Sequence, residues 1–251
     1  MVDISKETTA KKIALLIDGD NAQPSLIGKI LTEAGKYGSV TIRRIYGDWT
    51  TSNMKGWKDT LNLTAIQPVQ QFRYTIGKNA TDSALIIDAM DILNNELVDG
   101  FCIVSSDSDY TRLATRIREE GIIVLGIGKQ LTPKAFINAC NVFIYTENLL
   151  PKEAVSRERK STRRPSVKSE KPKKMDPLPL IKGAFDMAIQ EDGWANLATM
   201  GFYLHQLDPG FDPRTYGFKQ LSQLIKSFSD VFELRFRDIE GSTNIYVRLK
   251  E

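Results

Sequence analysis

Ile13-Ala14-Leu15-Leu16-Ile17-Asp18-Gly19-Asp20-Asn21 is a run of five apolar residues leading straight into two aspartates, a glycine and an asparagine. Five apolar side chains without alternation suit a strand buried on both faces, as in a parallel sheet covered by helices. Working outward, short apolar runs recur at residues 40–46, 65–69, 101–104, 122–127 and 142–145. Between them, residues 24–37, 54–63, 81–97, 110–120 and 133–139 show helical periodicity. Pro24 and Pro133 stand near helix starts, and Gly38 and Gly121 follow helix ends, as helix termini favour. Strands alternating with helices predict a doubly wound α/β domain with a parallel sheet.

The charge divides the chain. Residues 151–175 hold ten Lys/Arg against three Glu, a net of +7, with three prolines and no aromatic residue. Such a segment has too little apolar surface to order itself and reads as a basic disordered linker, either a solubilising tether or a strip contacting phosphates. Residues 11–150 carry fifteen basic and fifteen acidic side chains and are neutral, whereas residues 176–251 carry eight against eleven, a net of −3. In that last part, residues 179–190, 197–207 and 216–228 read as helices. Residues 231–237 and 244–249 alternate like a hairpin around Glu240-Gly241-Ser242. Three helices and a hairpin predict a small α+β domain of winged-helix type.

Composition excludes several classes. The single histidine, His205, rules out any His-based triad or zinc site in the first 200 residues. Cys102 and Cys140 form no CxxC pair and read as small buried hydrophobes in a reducing cytoplasm. The apolar runs are too short to cross a bilayer, and the opening MVDISKETTAKK lacks the apolar core of a cleaved signal. The expected location is therefore cytoplasmic, with no membrane partner.

What remains for chemistry is a set of carboxylates. Open α/β sheets bind ligands beyond the carboxyl ends of their strands, near the switch in strand order. The first strand ends at Asp18 and Asp20, and the strand at 101–104 runs into Ser105-Ser106-Asp107-Ser108-Asp109-Tyr110. Asp82 opens the helix at 81–97. If the first and fourth strands are neighbours, Asp18, Asp82, Asp107 and Asp109 converge on one pocket. Any one of them alone would serve equally as a helix cap, and Asp82 and Asp109 suit a helix dipole. Capping does not account for acids at the ends of two strands plus a third at a helix start. Clustered carboxylates without histidine favour Mg²⁺ or Mn²⁺, which take hard oxygen ligands. Asp88 and Asp91 lie about 120° and 180° around the helix from Asp82, and are expected to face solvent or a neighbouring loop.

These motifs resemble a known family. Ile17-Asp18-Gly19-Asp20-Asn21, then Lys78…Asp82, then Ser105-Ser106-Asp107-Ser108-Asp109-Tyr110 are similar to the NYN domain of LabA-like proteins, over residues 11–148. That family belongs to the PIN-like nucleases, so the resemblance implies a Rossmann-like sheet and a metal-dependent ribonuclease site. It further implies Asp18, Asp82 and Asp107 as primary acids, Asn21 and Asp109 as supporting polar groups, and a variable place for Asp20. Lys78 matches a basic position ahead of the helix acid, a phosphate contact or a solvated loop lysine. Residues 176–251 resemble the LOTUS, or OST-HTH, domain through Gly193-Trp194-Ala195, Phe211-Asp212-Pro213 and Tyr216-Gly217-Phe218-Lys219-Gln220-Leu221. Such domains are winged-helix folds associated with RNA, including G-rich RNA, or with protein partners; a homodimer through this domain is a further expectation. Its net negative charge leaves stacking, a local basic patch or a protein partner. Trp194, Tyr203, Tyr216 and Phe218 read first as core, and Lys219 and Arg214 as RNA contacts.

The leading expectation is an endoribonuclease using Mg²⁺ or Mn²⁺, with linker and C-terminal domain holding the RNA. Arg43 and Arg44, with Tyr46-Gly47-Asp48-Trp49, end the second strand where a substrate groove would pass, although Trp49 could equally be packing. One rival is a haloacid-dehalogenase-type phosphatase, since Asp18-Gly19-Asp20-Asn21-Ala22 approaches an Asp-x-Asp motif that Ala22 then breaks. The other is a non-catalytic RNA-binding regulator.

Overall fold

The computed structural model describes residues 10–72, 80–150, 176–239 and 242–250. The chain forms two compact units, Met1–Leu150 and Pro151–Glu251. Lys78 and the basic segment 151–175 lie outside the described residues.

In the first unit the strands are β1 (Lys12–Asp18), β2 (Ser39–Gly47), β3 (Gln67–Gln70), β4 (Gly100–Val104), β5 (Ile123–Gly128) and β6 (Val142–Tyr145). All pair in parallel in the order β3-β2-β1-β4-β5-β6. The helices are α1 (Ile27–Gly35), α2 (Lys58–Thr64), α3 (Ala80–Asn94), α4 (Thr111–Glu119) and α5 (Lys134–Ala139). Period-two alternation splits each strand between two cores. Ala14, Leu16, Tyr46, Phe101 and Ile103 pack with α3, α4 and α5 through Leu85, Leu113 and Phe136. Ile13, Leu15, Ile17, Ile45, Cys102 and Val104 pack with α1 and α2 through Ile27, Ile30 and Leu61. That two-sided cover explains the unbroken apolar run of β1, all of it 1% exposed or less. The fold is PIN-like α/β, and the strand order reverses between β1 and β4, opening a crevice past their carboxyl ends.

Two local differences from the expected elements have backbone causes. Residues 65 and 66 do not join the third strand, because Ala65 is left-handed (φ 50°) at the end of α2. The resulting short β3 contains Pro68 and lies at the sheet edge, where a missing N–H is tolerated. The buried cysteines, Cys102 and Cys140, are both free, and burial pushes the Cys140 thiol up to about 12.

The second unit holds α6 (Leu178–Ala188), β7 (Ala195–Asn196), α7 (Leu197–Leu207), α8 (Leu221–Lys226), β8 (Phe232–Ile239) and β9 (Ser242–Leu249). The sheet order β7-β9-β8 is antiparallel throughout, consistent with a winged-helix domain. The helix expected at 216–228 is interrupted. A 3₁₀ turn, Pro213–Tyr216, ends at Gly217 with φ 94°, and α8 restarts at Leu221. Only glycine takes that φ readily, so Gly217 stops the helix. Ile181, Phe185, Met200, Leu204, Ile225, Phe232 and Val247 form the core. No helix among the described residues is long and apolar enough to cross a membrane.

Candidate metal centre

The acids gather at the crevice because β1 and β4 are neighbours and α3 starts beside them. Ile17 pairs with Val104, so the residues after each strand emerge side by side. Asp18 is 1% exposed. Its Oδ1 accepts from Asp20 N at 3.1 Å, and its Oδ2 accepts from Asn21 Nδ2 at 2.6 Å and Ser105 Oγ at 2.8 Å. Ser105 Oγ also accepts from Asp107 N at 3.1 Å. One carboxylate thereby ties the loop after β1 to the loop after β4. Gly19 completes this junction: its N–H donates to Tyr46 O at 2.9 Å, and a Cβ there would lie 2.7 Å from that same oxygen.

Asp82, Asp107 and Asp109 offer carboxylate oxygens that all lie within 4.8 Å of one another. Asp82 Oδ1 accepts from the buried Tyr110 hydroxyl at 2.7 Å, and Asp107 Oδ1 caps the turn at Ser108 by accepting from Asp109 N at 3.0 Å. Capping and clustering therefore coexist at Asp107, whose cap occupies one oxygen, as the Tyr110 bond does at Asp82. Burial raises the Asp82 carboxyl above the usual range against the opposing Tyr110 hydrogen bond, and the charges of Asp18, Asp107 and Asp109 raise it further. Burial likewise raises Asp18, against the hydrogen bonds from Asn21, Ser105 and Asp20. Negative charges so arranged cost energy unless a cation or proton offsets them, and three hard oxygens fit a divalent ion of the Mg²⁺ type. Asp20 is exposed and takes the Thr81 hydroxyl at 3.3 Å.

Other expected site residues are placed differently. Asp88, expected to face solvent or a loop, instead lies against β2: it pairs with the Arg44 guanidinium and accepts from the Tyr46 hydroxyl. Arg44 and Tyr46 are two apart on one strand and project to the face covered by α3. Helical angle measured from Asp82 alone could not reveal this contact. Arg44 thus spends its charge inside the domain, and Arg43 donates to the backbone oxygens of Val40 and Thr64 at 3.2 Å each. Trp49 Nε1 is held by Val69 O at 3.0 Å, a packing role. Asp91 is exposed. In the second unit Arg214 folds back on Asp212 with N–O distances down to 2.7 Å, while Lys219 is exposed. Replacing Asp88 by Ala leaves a half-buried guanidinium and a buried hydroxyl without their acceptor. It should cost about 2 kcal/mol of stability, read as a lower urea midpoint, without changing divalent-ion binding.

A six-stranded parallel sheet with three aspartates at its switch point defines an α/β domain with a candidate divalent-cation site. Residues 12–150 match the NYN domain, and the chain belongs to that family. Residues 170–242 match the OST-HTH/LOTUS domain. Together they indicate a nuclease or RNA-binding role. Among solved structures, the chain is similar to a protein of unknown function from Vibrio parahaemolyticus at 19% identity, covering 55% of this chain and 94% of that one with TM-score 0.46. It is also similar to an uncharacterized Nitrosomonas europaea protein at 35% identity (36% and 89% covered, TM-score 0.29). A Chromobacterium violaceum protein matches at 32% identity (31% and 84% covered, TM-score 0.26). A comparison with curated proteins finds no match.

Proposed function

We propose that the chain is an endoribonuclease dependent on Mg²⁺ or Mn²⁺, cutting RNA phosphodiester bonds at Asp82, Asp107 and Asp109, with the linker and C-terminal domain holding RNA. The observation that carries this reading is the convergence of those three carboxylates beside the β1/β4 switch. When bound, a divalent ion there would ligate a phosphate oxygen and lower the pKa of an attacking water. Tyr110 holds Asp82 through one oxygen, and the Asp107 cap does the same from its own loop. Asp18 serves as a positioning residue, since its three hydrogen bonds use both oxygens and brace the loop that carries Asp107. The same buried bonding speaks against Asp18 as a phosphate-accepting nucleophile of the dehalogenase type. Lys78, four residues ahead of Asp82 in the sequence, would add a phosphate contact.

The test is purified full-length chain with end-labelled single-stranded RNAs of varied sequence, with Mn²⁺, Mg²⁺ or EDTA. Internal cleavage that needs the ion supports the reading. RNA bound but left intact with either ion across all substrates would overturn it in favour of a non-catalytic regulator.

A further inference from the structure

The C-terminal sheet has one face in the core and one outside. Phe232, Leu234 and Val247 point inward with Ala195. The register puts Glu233, Arg235 and Arg237 of β8 opposite Arg248, Tyr246 and Asn244 of β9, all on the outer face, with Trp194 at the edge beside β7. Arg248 and Arg235 lie over the Trp194 ring at 4.8 and 5.7 Å from its centroid, and Arg237 lies over Tyr246 at 5.4 Å. Cation–π contacts of this kind occur about once per 70–80 residues; here three share one face of one small sheet. Arg248 also pairs with Glu233 at 2.7 Å, while Arg235 and Arg237 have no ion pair among the described residues. Three arginines against one glutamate make this face positive in a segment whose net charge is −3.

We propose that this outer sheet face, Arg235, Arg237 and Arg248 seated on Trp194 and Tyr246, is where the C-terminal domain binds single-stranded RNA. The inference rests on the reading that this domain holds RNA, and it names the surface. Each guanidinium carbon sits over an aromatic ring, which restrains the side chain. Arg235 and Arg237 make no ion pair among the described residues, whereas Arg248 has one N–H on Glu233 and keeps the rest of its fork for a phosphate. Phosphates take the edge in bidentate fashion, and unpaired bases stack on the plane. A lysine could supply the charge but not the plane. Trp194, only 8% exposed, acts as the seat for the arginines and not as a stacking platform itself.

The experiment is fluorescence anisotropy of labelled single-stranded RNA with the full chain carrying Asp107→Asn to prevent cleavage, across a salt series. Arg235→Gln/Arg237→Gln/Arg248→Gln is compared with Lys219→Gln and with a triple Arg→Lys variant, each checked for its unfolding transition. Should the triple Gln variant not fold, Arg237→Gln alone serves, because that side chain is exposed and lies over the Tyr246 ring. The triple Gln variant should bind at least about tenfold more weakly, with a salt slope reduced by about 2, since each phosphate contact contributes about 0.7 on a single strand. The Lys variant should keep the slope and still lose affinity. Unchanged binding by the Gln variant, with a loss for Lys219→Gln, overturns this surface and leaves the RNA reading intact. A parent chain that binds no single-stranded RNA overturns both. A parent that self-associates through this face without binding RNA makes it a protein interface and sinks the proposal.

Discussion

Asp107→Asn is expected to cut RNA cleavage at least about 100-fold while leaving RNA binding and folding intact. The substitution is chosen for what it keeps. Asn retains a side-chain oxygen able to accept from Asp109 N, so the cap at Ser108 survives. The backbone N–H of Asp107 still donates to Ser105 Oγ, so the loop stays braced. What disappears is one negative charge from a group of three whose oxygens lie within 4.8 Å of each other. Lewis-acid and water-activating effects of a bound ion are worth several kcal/mol, and each 1.36 kcal/mol is about tenfold in rate. Loss of one ligand should therefore cost on the order of 10² or more. Quenched-flow or gel assays on labelled RNA, with anisotropy for binding, separate the two quantities. Undiminished cleavage by the variant would remove Asp107 from the site. Asp18→Asn is a poorer probe, because its NH2 would face a donor whichever way the amide turns, Asp20 N on one side or Asn21 Nδ2 and Ser105 Oγ on the other.

The second large effect concerns the ion and the domain's stability. The folded-state pKa values of Asp18 and Asp82 lie above their ordinary values, chiefly because both are buried. A carboxyl raised in the folded state contributes stability that is fully present below its unfolded pKa and lost as pH climbs through the raised value. As pH climbs through those raised values the ion-free N-terminal unit loses that stability, and a divalent ion should offset the loss. Saturating Mn²⁺ at 100 times its dissociation constant would add about 2.7 kcal/mol, a rise of roughly 5–10 °C in that unit's transition. At pH 5 the rise should shrink, because protons then compete for the same oxygens. Asp82→Asn should raise the transition of the ion-free protein by removing a repulsive charge, and abolish most of the Mn²⁺ response. Differential scanning calorimetry at pH 5 and 7.5, with EDTA or Mn²⁺, reads all four values. A Mn²⁺ response equal in Asp82→Asn and parent would refute the cluster as the binding site.

The sequence alone made much of this legible, and the reason differs by feature. β1, β4 and β5 are buried on both faces, so their apolar runs are unbroken and easy to read. The β3 region was less clear, since a short edge strand with Pro68 needs little apolar content. The break at Gly217 depends on backbone φ, which a Tyr-Gly-Phe run inside helical periodicity conceals. Nothing in the sequence singles out the outer arginines, because only the β8–β9 register sets Arg235 and Arg248 over one indole.

By itself the sequence determined a parallel α/β unit with acids at its strand ends, a strongly basic stretch at 151–175 and a smaller winged domain, because burial periodicity and charge are local properties of the chain. Only the tertiary structure decided how the acids are arranged. Asp109 joins Asp82 and Asp107, while Asp18 lies buried and bonded to the loops around it. It also decided that Asp88 holds Arg44 and Tyr46 across the α3–β2 interface. Those outcomes depend on which oxygen each donor occupies and on strand register, quantities set by packing between segments far apart in sequence.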